Sequence, residues 1–550
     1  EAWARRLLEK APRDRFQCAA DAAFALREAE HSQVWGVPPL PPSWRPPLSS
    51  RRAHVPLVGV GLGLHGLRAM PVLGRDEPME AIWQTLREVW TTATPRLVLL
   101  EGNAGSGKSR LAAAFCDRAE EVGGATTLRV SHDPMPTRDS GLREVLVRAL
   151  GCQRMGRREL AARVADLLAR DGVRDAYEAE ALAEYLVSPD EWTAGVDGPH
   201  ARVAAPQERN ALLQRFLRRS AARRPLVLCL DDAQWGSETL SLVEHLLAEP
   251  GVAVGPLLLL LCVRREALRD RPLEALRLSA LLESPGARRL DVPVLDDAAA
   301  RRLVRDVLGL EPRLADAVQV RAAGSPQFAV QLVSDWVRRG LLFSGPRGFE
   351  LEGSIDGELP ADLDAIWDQR VQRLAMEYGD EVAASLEVAA ALGLQVDAFE
   401  WNHACSELDL HAQPDLIDRL VHHGLADATE DGWAFASVLL RQALERQARS
   451  RSRWRDVHRA CASMLARRYP AGRPGLDERL GTHLVQAGAV DDAATVFGRA
   501  AQELQDLSEH RRAQEVARQR ERALALAHAP EADRRWGECL LVHANAELAL

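Results

Sequence analysis

Residues 102–109 read Gly-Asn-Ala-Gly-Ser-Gly-Lys-Ser, the GxxxxGK[ST] spacing by which a backbone wraps a phosphate chain. Gly102, Gly105 and Gly107 let the loop curl, so that successive N–H groups, those of Asn103, Ala104 and Ser106 included, and the start of the following helix face one anion. Lys108 then reaches the β- and γ-phosphates and the Ser109 hydroxyl ligates Mg²⁺, with Arg110 completing the binding stretch. Of 70 basic residues only Lys10 and Lys108 are lysine. A compact ammonium fits between phosphate oxygens where a planar guanidinium does not.

A second cluster lies about 125 residues on, in "RRPLVLCLDDAQWGSETL". Asp231 and Asp232 follow an apolar run, and parallel strands end at the face where loops gather the ligand. Asp231 is expected to hold Mg²⁺, directly or through water, and Asp232 to orient or deprotonate the attacking water. The pair of motifs points to ATP or ADP with Mg²⁺. No HExxH, GxSxG or further carboxylate pair suggests hydrolysis of another substrate.

The elements that must position these groups are apolar runs separated by helical stretches. Runs at 96–100, 125–131, 225–230 and 256–263 lack polar alternation, which predicts a parallel sheet covered on both faces. We assign 71–294 to this α/β domain, 295–355 to an all-α lid, 356–450 to a second helical domain and 451–550 to antiparallel helix pairs. Residues 1–31 read as helix around Pro12, and 32–70 as a proline-rich linker.

The net charge of -9 and pI near 6.0 argue against a chain whose main business is gripping nucleic acid. The eight cysteines are scattered without metal spacing and predict buried thiols in a reducing cytoplasm. The apolar runs fall short of a membrane span. A first residue of Glu1 rather than methionine suggests a piece of something longer, cut at both ends.

On these residues the chain resembles the signal-transducing STAND-type P-loop ATPases with an Orc1-like AAA module. "VLGRDEPMEAI" (72–82) is similar to the family's xGRxxE segment, and "LDDAQWGS" to its DDxQWxD form. "LLLLLCVRRE" (257–266) resembles the strand ending in the first sensor arginine, "VPVLDDAAARRLV" the start of the lid, and "AAGSPQFAVQLV" the GxP motif. The resemblance implies that Val72 and Arg75 lie near the adenine, that Arg264 reports on the γ-phosphate, and that Pro326 lets the lid touch the nucleotide. Ser237, Cys262, Ser325 and Ser437 depart from the family's usual aspartate, threonine, asparagine and histidine. Arg209 is one candidate for a trans-acting arginine finger, with a solvated helix face as the simpler reading.

"WARRLLEKAPRDRFQCAADAAFAL" resembles the last helices of a bacterial serine/threonine protein kinase domain, with Pro12 and Arg15 in a PxxR pattern. Without a catalytic lysine, HRD or DFG, the chain as given implies no kinase activity of its own. Residues 356–450 resemble a winged helix in a structural, autoinhibitory role, with His422 and His423 as turn or packing residues, and 451–550 resembles a TPR-like repeat. Together these imply a slow ATP-hydrolysing switch that controls an attached kinase and meets protein partners through its C-terminal repeats, with self-association and without membrane or nucleic-acid contacts. Two rivals are a non-hydrolysing ATP-bound scaffold and a transcriptional regulator whose DNA-binding end lies elsewhere.

Overall fold

The computed structural model describes residues 71–549 apart from 134–140, 154, 171, 174, 188–205, 223, 249–254, 270, 354, 412–415, 423–424, 430, 470–473 and 508, with 2–8, 15, 16, 22, 25 and 26 before them. The linker, Pro12 and His423 lie outside the described residues, as does the side chain of His422.

Five parallel strands form the central sheet: β1 (Arg96–Gly102), β2 (Thr126–Ser131), β3 (Leu226–Asp231), β4 (Leu257–Arg264) and β5 (Arg288–Asp291). Their order is β2-β3-β4-β1-β5. The four apolar runs are the first four strands. The fifth is an addition to the sequence reading, since "RRLD" presents only alternate residues inward and sends Arg288 to Glu88 and Arg289 to Glu101.

Helices cover both faces, as unalternated strands require. On one face Asp76–Thr92 and Lys108–Glu121 bring Trp83 and Phe115 edge-on, ring centroids 5.1 Å apart, over Val98, Leu100, Val227 and Leu260. On the other, helices between 142 and 282 pack on Leu97, Leu99, Leu228 and Leu261. A fully buried leucine of this kind contributes about 2 kcal/mol relative to exposure. The sheet is therefore a stiff floor for the loops at its carboxyl edge.

The lid comprises Asp297–Arg302, a π-helical turn Leu303–Val307, Pro312–Ala322 and Pro326–Arg338. The lid is helical as expected, and the structure adds a short antiparallel hairpin after its helices, Leu342–Gly345 (β6) and Gly348–Leu351 (β7), within 295–355. Its turn, Gly345-Pro346-Arg347-Gly348, carries the residues that reverse a chain. Beyond it, five helices from Leu363 to Ser450 surround a small antiparallel sheet of Gln395–Asp397 (β8), Ala426–Ala428 (β9) and Gly432–Phe435 (β10), in the order β8-β10-β9. Trp401 and Trp433, both fully buried, meet edge-on at 5.4 Å in its core.

Helices Trp454–Arg468, Pro474–Ala487, Val490–Asp506, His510–Leu526 and Arg534–Ala549 then pack each on the next. Buried alanines 493, 494, 500, 501, 513 and 517 line the seams and let neighbouring helices approach closely. The array folds back onto the sheet domain. Arg209 sits between Glu238 and Glu509 with its side chain 12% exposed, and Arg511 pairs with Glu244. Neither reading of Arg209 survives, because both acids lie in its own chain and enclose it. Burial opposes its charge, but Glu238 and Glu509 outweigh burial and raise its pKa.

Before residue 27, helix Ala2–Leu7 holds Trp3, whose Nε1 donates to the Ala22 carbonyl at 2.7 Å. Among the described residues no helix is long and apolar enough to cross a membrane.

Candidate nucleotide site

The strand register sets the site. Gly102 at the end of β1 lies level with Arg264 at the end of β4, and Ser131 level with Asp231, so both motif loops leave the sheet at one edge. Gly105 and Gly107 adopt φ of 75° and 97°, a region that side chains resist. A Cβ on Gly105 would stand 3.1 Å from Gln327 Oε1 and 3.2 Å from Ser325 Oγ, and one on Gly107 would lie 3.7 Å from Pro326 Cγ. The first turn of the lid helix thus rests against the phosphate loop, with Ser325 capping it through the Phe328 N–H.

Lys108 curls over its own loop, Nζ donating to the carbonyls of Gly102 and Asn103 at 2.8 Å each. Burial lowers its pKa, and Glu266 is the chief charge opposing that shift. Ser106 is buried and its hydroxyl has no protein partner. The Ala104 N–H donates to Glu266 Oε1 at 2.7 Å.

Ser109 Oγ donates to Asp231 Oδ1 at 2.9 Å, so the two expected metal ligands already meet. Burial, then the neighbouring Asp232, raises the Asp231 pKa. Asp232 has φ of 52°, an uncommon conformation for a residue with a side chain and one that clusters at functional sites. Arg264 grips it with both arms, Nε to Oδ1 at 2.7 Å and Nη2 to Oδ2. Gln234, fully buried, completes the triangle: Nε2 donates to Asp232 Oδ1 at 3.0 Å and Oε1 accepts from the Arg264 N–H at 3.3 Å.

Two positioning residues escaped the sequence reading. Gln234 stood inside the quoted "LDDAQWGS", and its place two residues after the acidic pair was a usable signal. His132 carried none. Its Nδ1 lies 3.1 Å from the Asp231 carbonyl and its Nε2 3.0 Å from Thr239 Oγ1. A carbonyl only accepts, so Nδ1 holds the proton and Nε2 accepts from the threonine. Burial lowers the pKa of this imidazole, consistent with the neutral tautomer.

Of the residues expected near the adenine, Val72 packs on the sheet core. Arg75 is buried and donates to the carbonyls of Gly74 at 2.9 Å, Ser106 at 3.0 Å and Pro293. It thereby ties the phosphate loop to the lid junction. Arg110 is exposed in the first turn of its helix.

The donors suit the ions expected of them. A hydroxyl and a carboxylate oxygen are hard ligands of the kind Mg²⁺ takes, and the positive-φ glycines with the unpartnered Ser106 hydroxyl form a cradle for phosphate oxygens. Among the described residues no cluster of three or more His, Cys, Asp or Glu is arranged to hold a metal by itself.

Comparison with known proteins agrees over part of the chain. Residues 71–260 match the family described as "AAA ATPase domain". No curated protein matches. Similar solved structures include the Aeropyrum pernix Orc1 protein in complex with DNA, 14% identical, covering 70% of this chain and 95% of that one at a TM-score of 0.33. Cdc6p from Pyrobaculum aerophilum is 11% identical over 71% and 99% of the two chains, with a TM-score of 0.31. Drosophila ORC bound to GC-rich DNA and Cdc6 is 13% identical over 92% and 78%, with a TM-score of 0.24. Residues 71–260, which build most of the sheet and both motif loops, are similar to AAA ATPase domains, and the fold is that of an α/β P-loop ATPase with a helical C-terminal region.

Proposed function

We propose that the chain is an ATP-binding and ATP-hydrolysing signalling switch of STAND type that controls an attached effector, a serine/threonine kinase domain like the one its first residues resemble. The observation that carries this reading is the Ser109–Asp231 hydrogen bond at 2.9 Å, beside the Asp232–Arg264 pair. Together they join three strand ends at the mouth of the phosphate loop.

The loop amides and Lys108 bind the phosphates, and Lys108 gives up its bonds to Gly102 and Asn103 to do so. Ser109 and Asp231 would hold Mg²⁺, which when bound neutralises developing phosphate charge. Asp232 accepts a hydrogen bond from the attacking water, while Gln234 keeps its carboxylate in place. Arg264 exchanges Asp232 for a phosphate oxygen and so senses whether one is present.

The contact of Ser325, Pro326 and Gln327 with the loop supports reading the lid as the element that feels nucleotide state. The Arg209 bridge supports a coupled C-terminal array, proposed here as TPR-like and as the seat of protein partners and self-association. In the second domain, proposed as a winged helix, Leu416–His422 carries one acid and one arginine, which favours a structural role over DNA contact.

A second reading, the non-hydrolysing scaffold, draws on the same triangle, since Arg264 and Gln234 engage both oxygens of Asp232. Calorimetry with Mg-ATP and single-turnover hydrolysis, with Asp232→Asn as control, separate the two. The switch requires binding by both proteins and a loss of hydrolysis in the variant of about a hundredfold or more. Equal inertness with binding retained selects the scaffold. Absence of binding by the folded chain overturns both.

A further inference from the structure

Three consecutive residues leave β4, and each meets a different partner. Arg264 turns to Asp232 at the end of β3. Arg265 turns the other way, Nε to Glu101 Oε1 on β1 at 3.1 Å and Nη2 to Asp291 Oδ1 on β5 at 2.6 Å. Glu266 follows and accepts the N–H of Ala104, in the phosphate loop, at 2.7 Å. Because β4 lies between β3 and β1, the two arginines pin the turn from both sides. The direction of Glu266 is therefore set by its neighbours.

A carboxylate in this place is electrostatically peculiar. The loop exists to present N–H groups to an anion, and Glu266 already supplies one. It is also the acid that does most to keep Lys108 charged against burial. Under the ATP-site reading, on which this inference rests, Arg264 and Asp232 face the terminal phosphate. Glu266 meets the loop at Ala104, on its first arm, ahead of Lys108 and Ser109 at the helix start.

We propose that Glu266 is a built-in competitor for the terminal phosphate: its carboxylate occupies the Ala104 N–H, so the site is biased towards nucleoside diphosphate and against triphosphate. A γ-phosphate must displace Glu266 and lie near its charge. A diphosphate ends short of it. The bias gives a switch a resting preference that ATP overcomes only at sufficient concentration.

The test is calorimetric titration of the full chain with Mg-ADP and with the Mg complex of a non-hydrolysable ATP analogue, for wild type, Glu266→Gln and Glu266→Ala. Glutamine keeps the acceptor and shape but removes the charge, while alanine removes both. Glu266 is exposed, and circular dichroism verifies that each variant folds. Both variants should tighten the triphosphate analogue by about tenfold and move ADP by less than about twofold, with the wild-type bias shrinking in high salt. Equal shifts for both nucleotides, or no shift in either, overturn the proposal while leaving the ATP site standing. If the folded wild type takes up neither nucleotide, the underlying reading fails as well.

Discussion

Gly236 offers a sharp test of how the acidic loop is held. Its φ of -100° lies outside the left-handed region that favours glycine, so the cost of Gly236→Ala does not come from a positive φ. The obstacle is His132: a Cβ at 236 would stand 2.8 Å from Cε1 of the imidazole and nearer still to Nε2 and Cδ2. Ordinary carbon contacts need about 3.5 Å or more, so the ring must retreat by about 1 Å. That displacement breaks the bonds to Asp231 and Thr239, which span 3.1 and 3.0 Å. Two hydrogen bonds at about 1 kcal/mol each, plus overpacking of about 1–3 kcal/mol, give a loss of about 3–5 kcal/mol. His132→Ala alone forfeits the hydrogen bonds, about 2 kcal/mol, and makes room for the extra methyl. The double variant should then cost about 2 kcal/mol rather than the sum, a coupling of about 3–5 kcal/mol. Hydrogen exchange at the amides of β3 and β4 reads this locally in a chain that need not unfold in one step. Hydrolysis by Gly236→Ala should fall at least about tenfold while ATP affinity stays within about threefold, since Lys108 and its loop are untouched. Additive losses in the double variant would refute the reasoning, because the ring would not then be the obstacle.

The array makes two further predictions. His458 and His483 are buried with their Nδ1 atoms 2.8 Å apart, one donating and the other accepting, and burial holds both imidazoles down, His458 to about 3. The unfolded chain therefore protonates first as pH falls: the junction of helices Trp454–Arg468 and Pro474–Ala487 is fully stable above about pH 6.5 and weakens towards pH 3, by up to about 1.4 kcal/mol per unit per histidine. Exchange measured between pH 7 and 4 should show this slope, and His458→Leu with His483→Leu should flatten it; an unchanged slope contradicts the assignment. Arg209→Leu leaves Glu509, 9% exposed, without its closest cation and should loosen helix His510–Leu526 from the sheet domain by about 2–3 kcal/mol. Cross-linking between the two falling to background is the expected sign, and unaltered protection of that helix is the contrary one.

What was legible in advance was local. The phosphate loop, Asp231 and Asp232 are contiguous motifs, and β1, β3 and β4 are nearly unbroken apolar runs while β2 alternates, so neighbours in sequence carried the signal. The remainder depends on strand order. His132 matters because β2 lies beside β3, and Arg265 and Glu266 because β4 lies between β3 and β1; no spacing along the chain encodes either adjacency. β5 was missed because two of its four residues are arginines satisfied by Glu88 and Glu101 rather than by burial, and the lid hairpin because its strands are too short to show alternation. Arg209 was misread for a related reason, since the acid that encloses it lies 300 residues away.

The scarcity of lysine has a practical consequence. Wherever arginine carries the positive half of an ion pair, its guanidinium ignores reagents that attack free amines, whereas Lys108 keeps its ammonium against the carbonyls of the phosphate loop. Among the residues of this sequence, reductive methylation or acylation therefore leaves the arginine charges in place and addresses Lys10 and, once its loop opens, this one buried side chain. A labelled methyl there would make the loop itself the reporter, visible by resonance in a chain of this size without any mutation.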